Sequence, residues 1–86
     1  MELRVLFTNK AERNLKHIQE PFRKRTYDFA CSLADNPYPR GLEKLTDRDN
    51  TYRFRVGDYR VVWFIEEKRG IIHIVNIDKR PQAYQR

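Results

Sequence analysis

The sequence contains a single cysteine and no long apolar run, and both absences narrow the possible classes of protein. One cysteine, Cys31, cannot form an internal disulfide or build a cysteine-rich metal site. Its apolar neighbours Phe29, Ala30 and Leu33 predict a buried position for the thiol, which suits a reducing cytoplasm. No segment approaches the roughly 20 apolar residues that span a bilayer, and no basic region followed by a long apolar segment opens the chain. We therefore expect a cytoplasmic protein with no membrane partner.

Length and charge set the next limits. A chain of 86 residues, of which 40% are hydrophobic, suffices for one compact core, so residues 1–86 are predicted to form a single domain without a deep pocket. Eighteen Lys and Arg against twelve Asp and Glu give a net charge of +6. Such a charge suits a polyanionic partner, and RNA, DNA, an acidic protein or a membrane surface would all qualify, as would a soluble domain that is merely basic.

Apolar periodicity predicts two helices in the first half of the chain. Ala11, Leu15 and Ile18 recur at helical spacing after Thr8 or Asn9, either of which can cap a helix. Pro21 suits the first turn of a second helix, which the loop "DNPYPRG" ends. The residues of its predicted apolar stripe are Phe22, Thr26, Phe29, Ala30 and Leu33.

The second half alternates with a period of two, which predicts strands. Tyr52, Phe54 and Val56 alternate with Arg53 and Arg55, a Gly-Asp turn follows, and two further strands run through "YRVVWFI" and "IIHIVNI". With the opening "ELRVLF", the order is strand, helix, helix and a three-stranded antiparallel meander. This predicts an α+β fold with both helices on one face of the sheet.

The alternation also predicts where the arginines of the meander lie. If Tyr52, Phe54 and Val56 face the helices, then Arg53 and Arg55 face the opposite side. Taken singly, each arginine is expected to be part of a solvated strand face. As a set they favour phosphate binding, because guanidinium groups match phosphate oxygens and keep their charge at every physiological pH.

Two stretches resemble the RelE/ParE superfamily of bacterial toxins, most closely its RelE-type mRNA endoribonucleases, or mRNA interferases. The stretch "YRFRVGDYRVVW" is similar to the family's strand-turn-strand pattern, in which aromatic, basic and apolar residues precede a Tyr-Arg pair. The ending "IDKRPQAYQR" is similar to its closing basic pair followed four residues later by tyrosine. The resemblance covers nearly the whole chain and implies a small RelE-like fold and the role of toxin in a type II toxin-antitoxin system.

The resemblance further implies cleavage of mRNA in the ribosomal A site. A 2′-hydroxyl attacks the adjacent phosphate, and fixed cations stabilise the negative charge that builds on the phosphoryl oxygens, so neither a metal nor another cofactor is implied. The catalytic candidates at matching positions are Arg53, Arg55, Arg60, Arg80 and Tyr84. The additional candidate RNA contacts are Arg23, Lys24, Arg25, Lys44 and Lys79.

Proton transfer needs a group other than arginine, which does not readily give up its proton. Tyr84 is the leading candidate, because the arginines would stabilise its phenolate. His73, within a predicted strand, and His17, on the exposed side of the first helix, are weaker candidates. The carboxylate-histidine pair of some relatives is not apparent in the sequence.

Two other functions remain open at this point. A ParE-like toxin would inhibit DNA gyrase without nuclease activity, and a silent RNA-binding or regulatory module would keep the basic face without the reaction. In either toxin branch the family implies a cognate antitoxin. A +6 surface suits an antitoxin with an acidic, partly disordered segment that folds on binding.

Overall fold

The computed structural model describes residues 2–79, which form two helices and a five-stranded mixed sheet. The elements are β1 Arg4–Phe7, α1 Asn9–Lys16, α2 Phe22–Ser32, β2 Glu43–Lys44, β3 Thr51–Val56, β4 Tyr59–Glu66 and β5 Ile71–Lys79. The strand order is β1-β5-β4-β3-β2, with β1 parallel to β5 and the other pairs antiparallel. The predicted α+β class and meander are confirmed. The sequence predicted neither the position of β1 in the sheet nor the two-residue β2, and these two strands form the edges of the sheet.

The two helices begin where the sequence predicts. Thr8 caps α1, since its Oγ1 accepts a hydrogen bond of 3.1 Å from the backbone N–H of Ala11, and Pro21 directly precedes α2. Ala11 is fully buried, and Ile18 is buried just beyond the end of α1. Neither helix within residues 2–79 is long and apolar enough to cross a membrane.

The core lies between the helices and one face of the sheet. Along β4, Val61, Trp63 and Ile65 are at most 3% exposed and alternate with half-buried residues. Phe54 of β3 packs on this side, where its ring stacks on Phe29 of α2 with centroids 4.5 Å apart. The predicted orientation of β3 is therefore confirmed, because the pleat then directs Arg53 and Arg55 to the opposite face. We call that opposite face the open face.

A β-bulge interrupts the alternation in β5. Val62 of β4 pairs with Asn76 and Trp63 pairs with Ile74, so Val75 has no partner in β4. Ile74 and Ile77 consequently both face the core, although they are three residues apart. The extra residue shifts the register of the end of β5.

The helix α1 supplies hydrogen bonds to β5 beyond the point where β1 ends. Thr8 Oγ1 donates to the carbonyl of Val75 at 3.4 Å. Asn14 Oδ1 accepts a hydrogen bond of 3.0 Å from the backbone N–H of Ile77. The side chains of Asn14 and of the capping residue Thr8 therefore satisfy backbone groups that a longer β1 would otherwise pair.

Two predicted core positions on α2 are wrong. Ala30 is fully buried, and successive helix residues point about 100° apart, so the side chain of Cys31 points away from the core and is exposed. Phe22 is 43% exposed. As the first residue of α2, it lines a surface hollow with His17, Tyr59 and other residues rather than entering the core.

Candidate functional site

The open face brings together three of the predicted catalytic arginines. Arg53 and Arg55 project from β3, and Arg60 projects from the neighbouring strand β4. Arg55 and Arg60 are direct cross-strand partners, while Arg53 lies opposite Val62. The tight turn at Gly57 and Asp58, where Gly57 has a φ of 60°, sets this register. The hairpin thus places the side chains of Arg55 and Arg60 next to each other.

Carboxylates on flanking strands orient two of these arginines. Arg53 Nη2 lies 2.7 Å from Glu43 Oε1, and its Nε donates to the same oxygen at 2.8 Å. Arg60 Nε donates to Asp78 Oδ1 at 3.3 Å, and its side chain is 24% exposed. Ion pairs at this exposure contribute at most about 1 kcal/mol, so their main effect is to position the guanidinium groups.

Arg55 has a different environment. Its Nε donates to the carbonyl of Gly57 at 3.1 Å, and the residue is exposed. Among residues 2–79, it makes no ion pair with a carboxylate. Like charges directly opposite each other on a sheet are destabilising, so the pairing of Arg55 with Arg60 favours an anion that can contact both.

The remaining predicted site residues lie elsewhere. Lys44 pairs with Tyr52, and Lys79 pairs with Tyr59, two residues that pack against the core on the helix side of the sheet. Arg23, Lys24 and Arg25 are on α2, also on the helix side. The structure does not bring these five residues to the open face, and their contact with RNA stays a prediction. Arg80 and Tyr84 lie outside the described residues.

Sequence reasoning missed a charged cluster at the other end of the open face. Arg69 donates from Nε to Glu66 Oε2 at 2.6 Å and from Nη2 to Oε1 at 2.9 Å. His73 Nε2 lies 2.9 Å from Glu66 Oε1. The β4-β5 hairpin is the sequence feature that could have predicted this cluster. Glu66 pairs with Ile71, and His73, two residues after Ile71, lies on the same face of the sheet.

The electrostatics of this cluster follow from its hydrogen bonds. Those from Arg69, and then those from His73, lower the pKa of Glu66 from its ordinary value of 4.5 to about 2. Glu66 is therefore ionised at neutral pH and can only accept hydrogen bonds, so His73 donates through Nε2. A carboxylate-histidine pair is present, although the sequence alone did not show it.

Comparison with known proteins assigns the family. The family model described as "ParE toxin of type II toxin-antitoxin system, parDE" matches residues 5–84. The chain belongs to this toxin family. The resemblance to the RelE/ParE superfamily that the sequence motifs indicated is thereby confirmed.

Individual relatives of this toxin carry RelE names. Toxin RelE of Mycobacterium tuberculosis is 29% identical over 82 residues, covering 94% of this chain and 84% of that protein. Putative toxin RelE1 of Methanocaldococcus jannaschii is 27% identical over 88 residues, covering 99% of this chain and 98% of that protein. The archaeal RelE-RelB complex of Pyrococcus horikoshii gives a TM-score of 0.83 at 28% identity, covering 96% of this chain and 100% of the matched chain.

Proposed function

We propose that this toxin is a ribosome-dependent endoribonuclease that cleaves mRNA in the A site without a metal. The observation that carries the proposal is the cross-strand pairing of Arg55 with Arg60 on the open face. Two adjacent cations that keep their charge at every physiological pH suit a phosphate whose negative charge increases during reaction. The mRNA and the ribosome are accordingly the proposed partners, and the cytoplasm is the proposed location.

The proposed reaction is attack of a 2′-hydroxyl on the adjacent phosphate. The new bond joins the 2′-oxygen to phosphorus and the bond to the 5′-oxygen breaks, leaving a 2′,3′-cyclic phosphate and a 5′-hydroxyl. Arg55 and Arg60 stabilise the phosphoryl oxygens, and Arg53 and Arg80 add positive charge around them. Tyr84 takes the proton of the attacking hydroxyl or returns one to the leaving oxygen.

A cognate antitoxin is the proposed protein partner. The relative from Pyrococcus horikoshii was solved as a RelE-RelB complex. This toxin has a net charge of +6, and its helix side exposes the rings of Phe22, Tyr27 and Tyr38 by 43 to 49%. An acidic, partly disordered segment with apolar residues would cover charge and aromatic surface together as it folds on binding.

Inhibition of DNA gyrase is the second candidate function. The observation that favours it is the ParE description of the matching family model. In that case, the arginines of the open face would bind their target without cleaving nucleic acid. The alternating pattern and the positive charge are compatible with both mRNA cleavage and gyrase inhibition, so an activity assay is needed to distinguish the two functions.

The test is in vitro translation of a defined message in the presence of the toxin, with primer extension to map breaks. A parallel assay measures supercoiling by gyrase. The proposal predicts cuts within codons at the A site that require ribosomes, with supercoiling unaffected. Inhibited supercoiling with an intact message would assign the gyrase function, and the absence of both effects would leave a silent RNA-binding module.

A further inference from the structure

A shallow apolar hollow lies on the open face, on the far side of Arg53 from the Arg55–Arg60 pair. Its volume is about 440 Å³, and it is lined by Arg48, Thr51, Phe64, His73 and Val75. We call it the Phe64 hollow. Sites that hold small molecules have volumes of about 300–1,000 Å³, so a single nucleobase is well within its capacity.

An aromatic pair lines this hollow. Phe64 of β4 and His73 of β5 are cross-strand partners, and their rings stack with centroids 5.8 Å apart and planes inclined by 28°. The hydrogen bond from His73 to Glu66 holds the imidazole in place, and Arg69 in turn holds Glu66. The stacked rings are thus preorganised by a chain of charged contacts, which reduces the entropy lost when a ligand binds.

A second hollow connects this pair to Arg53. It measures about 490 Å³, and its lining includes Lys10, Arg53 and the single carboxylate of Asp47. It shares Arg48 and Val75 with the Phe64 hollow, so the two are continuous across the open face. The lining of the second hollow carries three cations, Lys10, Arg48 and the ion-paired Arg53, against one carboxylate. Its positive charge complements a phosphate backbone.

The spacing along β4 fits a single strand of RNA. Val62 lies opposite Arg53, and Phe64 follows two residues later on the same face, about 7 Å along the strand. A phosphate held at Arg53 therefore leaves the neighbouring nucleotide beside the Phe64 hollow. Unpaired bases of RNA are commonly recognised by stacking on Phe and His rings.

We propose that the Phe64 hollow binds an unpaired base of the message beside the phosphate held at Arg53, which neighbours the cleaved phosphate. The base stacks on the Phe64–His73 pair, and Arg48 lies against the adjoining backbone. This inference rests on the proposed function and extends it by naming a base-binding subsite. The subsite selects the position of the cut by requiring a base there, and it recognises a ring face rather than one particular base.

The test combines a change in the protein with a change in the message. Single-turnover cleavage in a reconstituted translation system is measured for the parental toxin and for Phe64→Leu, which removes the ring and keeps an apolar side chain. Phe64→Tyr keeps the ring, and Phe22→Leu is the matched aromatic control on the helix side. Each protein is tested on an intact message and on messages with an abasic nucleotide at successive positions around the cut.

We expect Phe64→Leu to slow cleavage of the intact message about 5- to 150-fold, the effect of losing one stacked base. Phe64→Tyr, which keeps the ring, should recover most of the rate that Phe64→Leu loses, and Phe22→Leu should cleave near the parental rate. One abasic position should slow the parental toxin to a similar extent and should not slow Phe64→Leu further. This loss of additivity would identify the base that contacts Phe64.

Several results would overturn the inference. Cleavage by Phe64→Leu at the parental rate would do so. So would a fall in cleavage rate from Phe64→Leu that adds to the fall caused by an abasic nucleotide at every position tested. If Phe64→Leu cleaves normally but resists neutralisation by the antitoxin, the hollow binds protein and not RNA. If that variant fails to fold, the parental toxin still decides, since insensitivity to every abasic position excludes a bound base. A parental toxin that cleaves no message removes the proposed function together with this inference.

Discussion

At the residue scale, each of the three arginines Arg53, Arg55 and Arg60 is held by a different neighbour. Arg53 and Arg60 are oriented by Glu43 and Asp78, whereas Arg55 is held by a backbone carbonyl. Replacing Arg60 therefore also breaks the ion pair of Asp78, which keeps the hydrogen bond from Asn76. Replacing Arg55 breaks no ion pair among residues 2–79. Arg55 is the cleaner position for separating chemistry from stability.

Glu66 gives a pH-dependent prediction. Its pKa is about 2 in the folded chain and ordinarily 4.5, so its stabilising effect is fully present above about pH 4.5 and is lost as the pH falls toward 2. Glu66→Gln should therefore lower the free energy of unfolding at neutral pH, and the difference from the parental toxin should shrink below about pH 4.5. Urea unfolding across this range measures the difference, with Glu67→Gln as the control. A difference that does not change with pH would contradict the prediction.

Tyr84 is predicted to act in proton transfer. Tyr84→Phe keeps the ring, and with it any stacking, and removes only the hydroxyl. We expect the single-turnover cleavage rate to fall about 10²–10⁴-fold, the usual contribution of general acid-base catalysis, while ribosome binding persists. The pH dependence of the residual rate then reports whether the hydroxyl titrates during the reaction. Cleavage by Tyr84→Phe at the parental rate would leave the tyrosine an anchoring or stacking role.

At the element scale, α1 supports β5, the strand that pairs with β4 beside the candidate site. Asn14 accepts the hydrogen bond of the Ile77 N–H, which lies on the stretch of β5 that β1 does not reach. Because a partly buried donor left without a partner costs about 1–3 kcal/mol, Asn14→Ala should lower the free energy of unfolding by that amount. Lys16→Ala, an exposed change on the same helix, should stay within about 0.5 kcal/mol of the parental value.

Chemical denaturation with matched controls checks this prediction. An Asn14→Ala variant as stable as Lys16→Ala would show that water satisfies the Ile77 N–H. A larger loss accompanied by a lower dependence on denaturant would indicate that the end of β5 has separated from the sheet.

The same scale shows which features the sequence could predict. Local periodicity predicted both helices, the meander and the orientation of Arg53 and Arg55, because burial on one face imposes the period. It could not predict the parallel pairing of β1 with β5, which joins the two ends of the described chain and has no local signature. The bulge at Val75 was also missed, because a single inserted residue moves the later residues of the strand to the other face without changing composition.

At the scale of the whole molecule, folding and proposed chemistry use opposite faces of one sheet. The helix side contains the buried side chains around Trp63 and Ile74, while the open face carries Arg53, Arg55 and Arg60. With a net charge of +6, the toxin is expected to gain stability when an anionic partner binds this face. The motifs in the sequence predicted the arginines of the candidate site, whereas the Glu66–His73 pair and the hollows required the register of the strands.

The most direct test of this account is the single-turnover rate of mRNA cleavage by Arg55→Ala on the ribosome, measured together with its free energy of unfolding. We predict a rate roughly 10- to 1000-fold below the parental rate, because a cation that stabilises the transition state is lost. Stability should change by no more than about 0.5 kcal/mol, and Arg13→Ala on α1 should match the parental toxin in both measurements. Cleavage by Arg55→Ala at the parental rate, or a fall in rate that loss of folding fully explains, would contradict the proposed site.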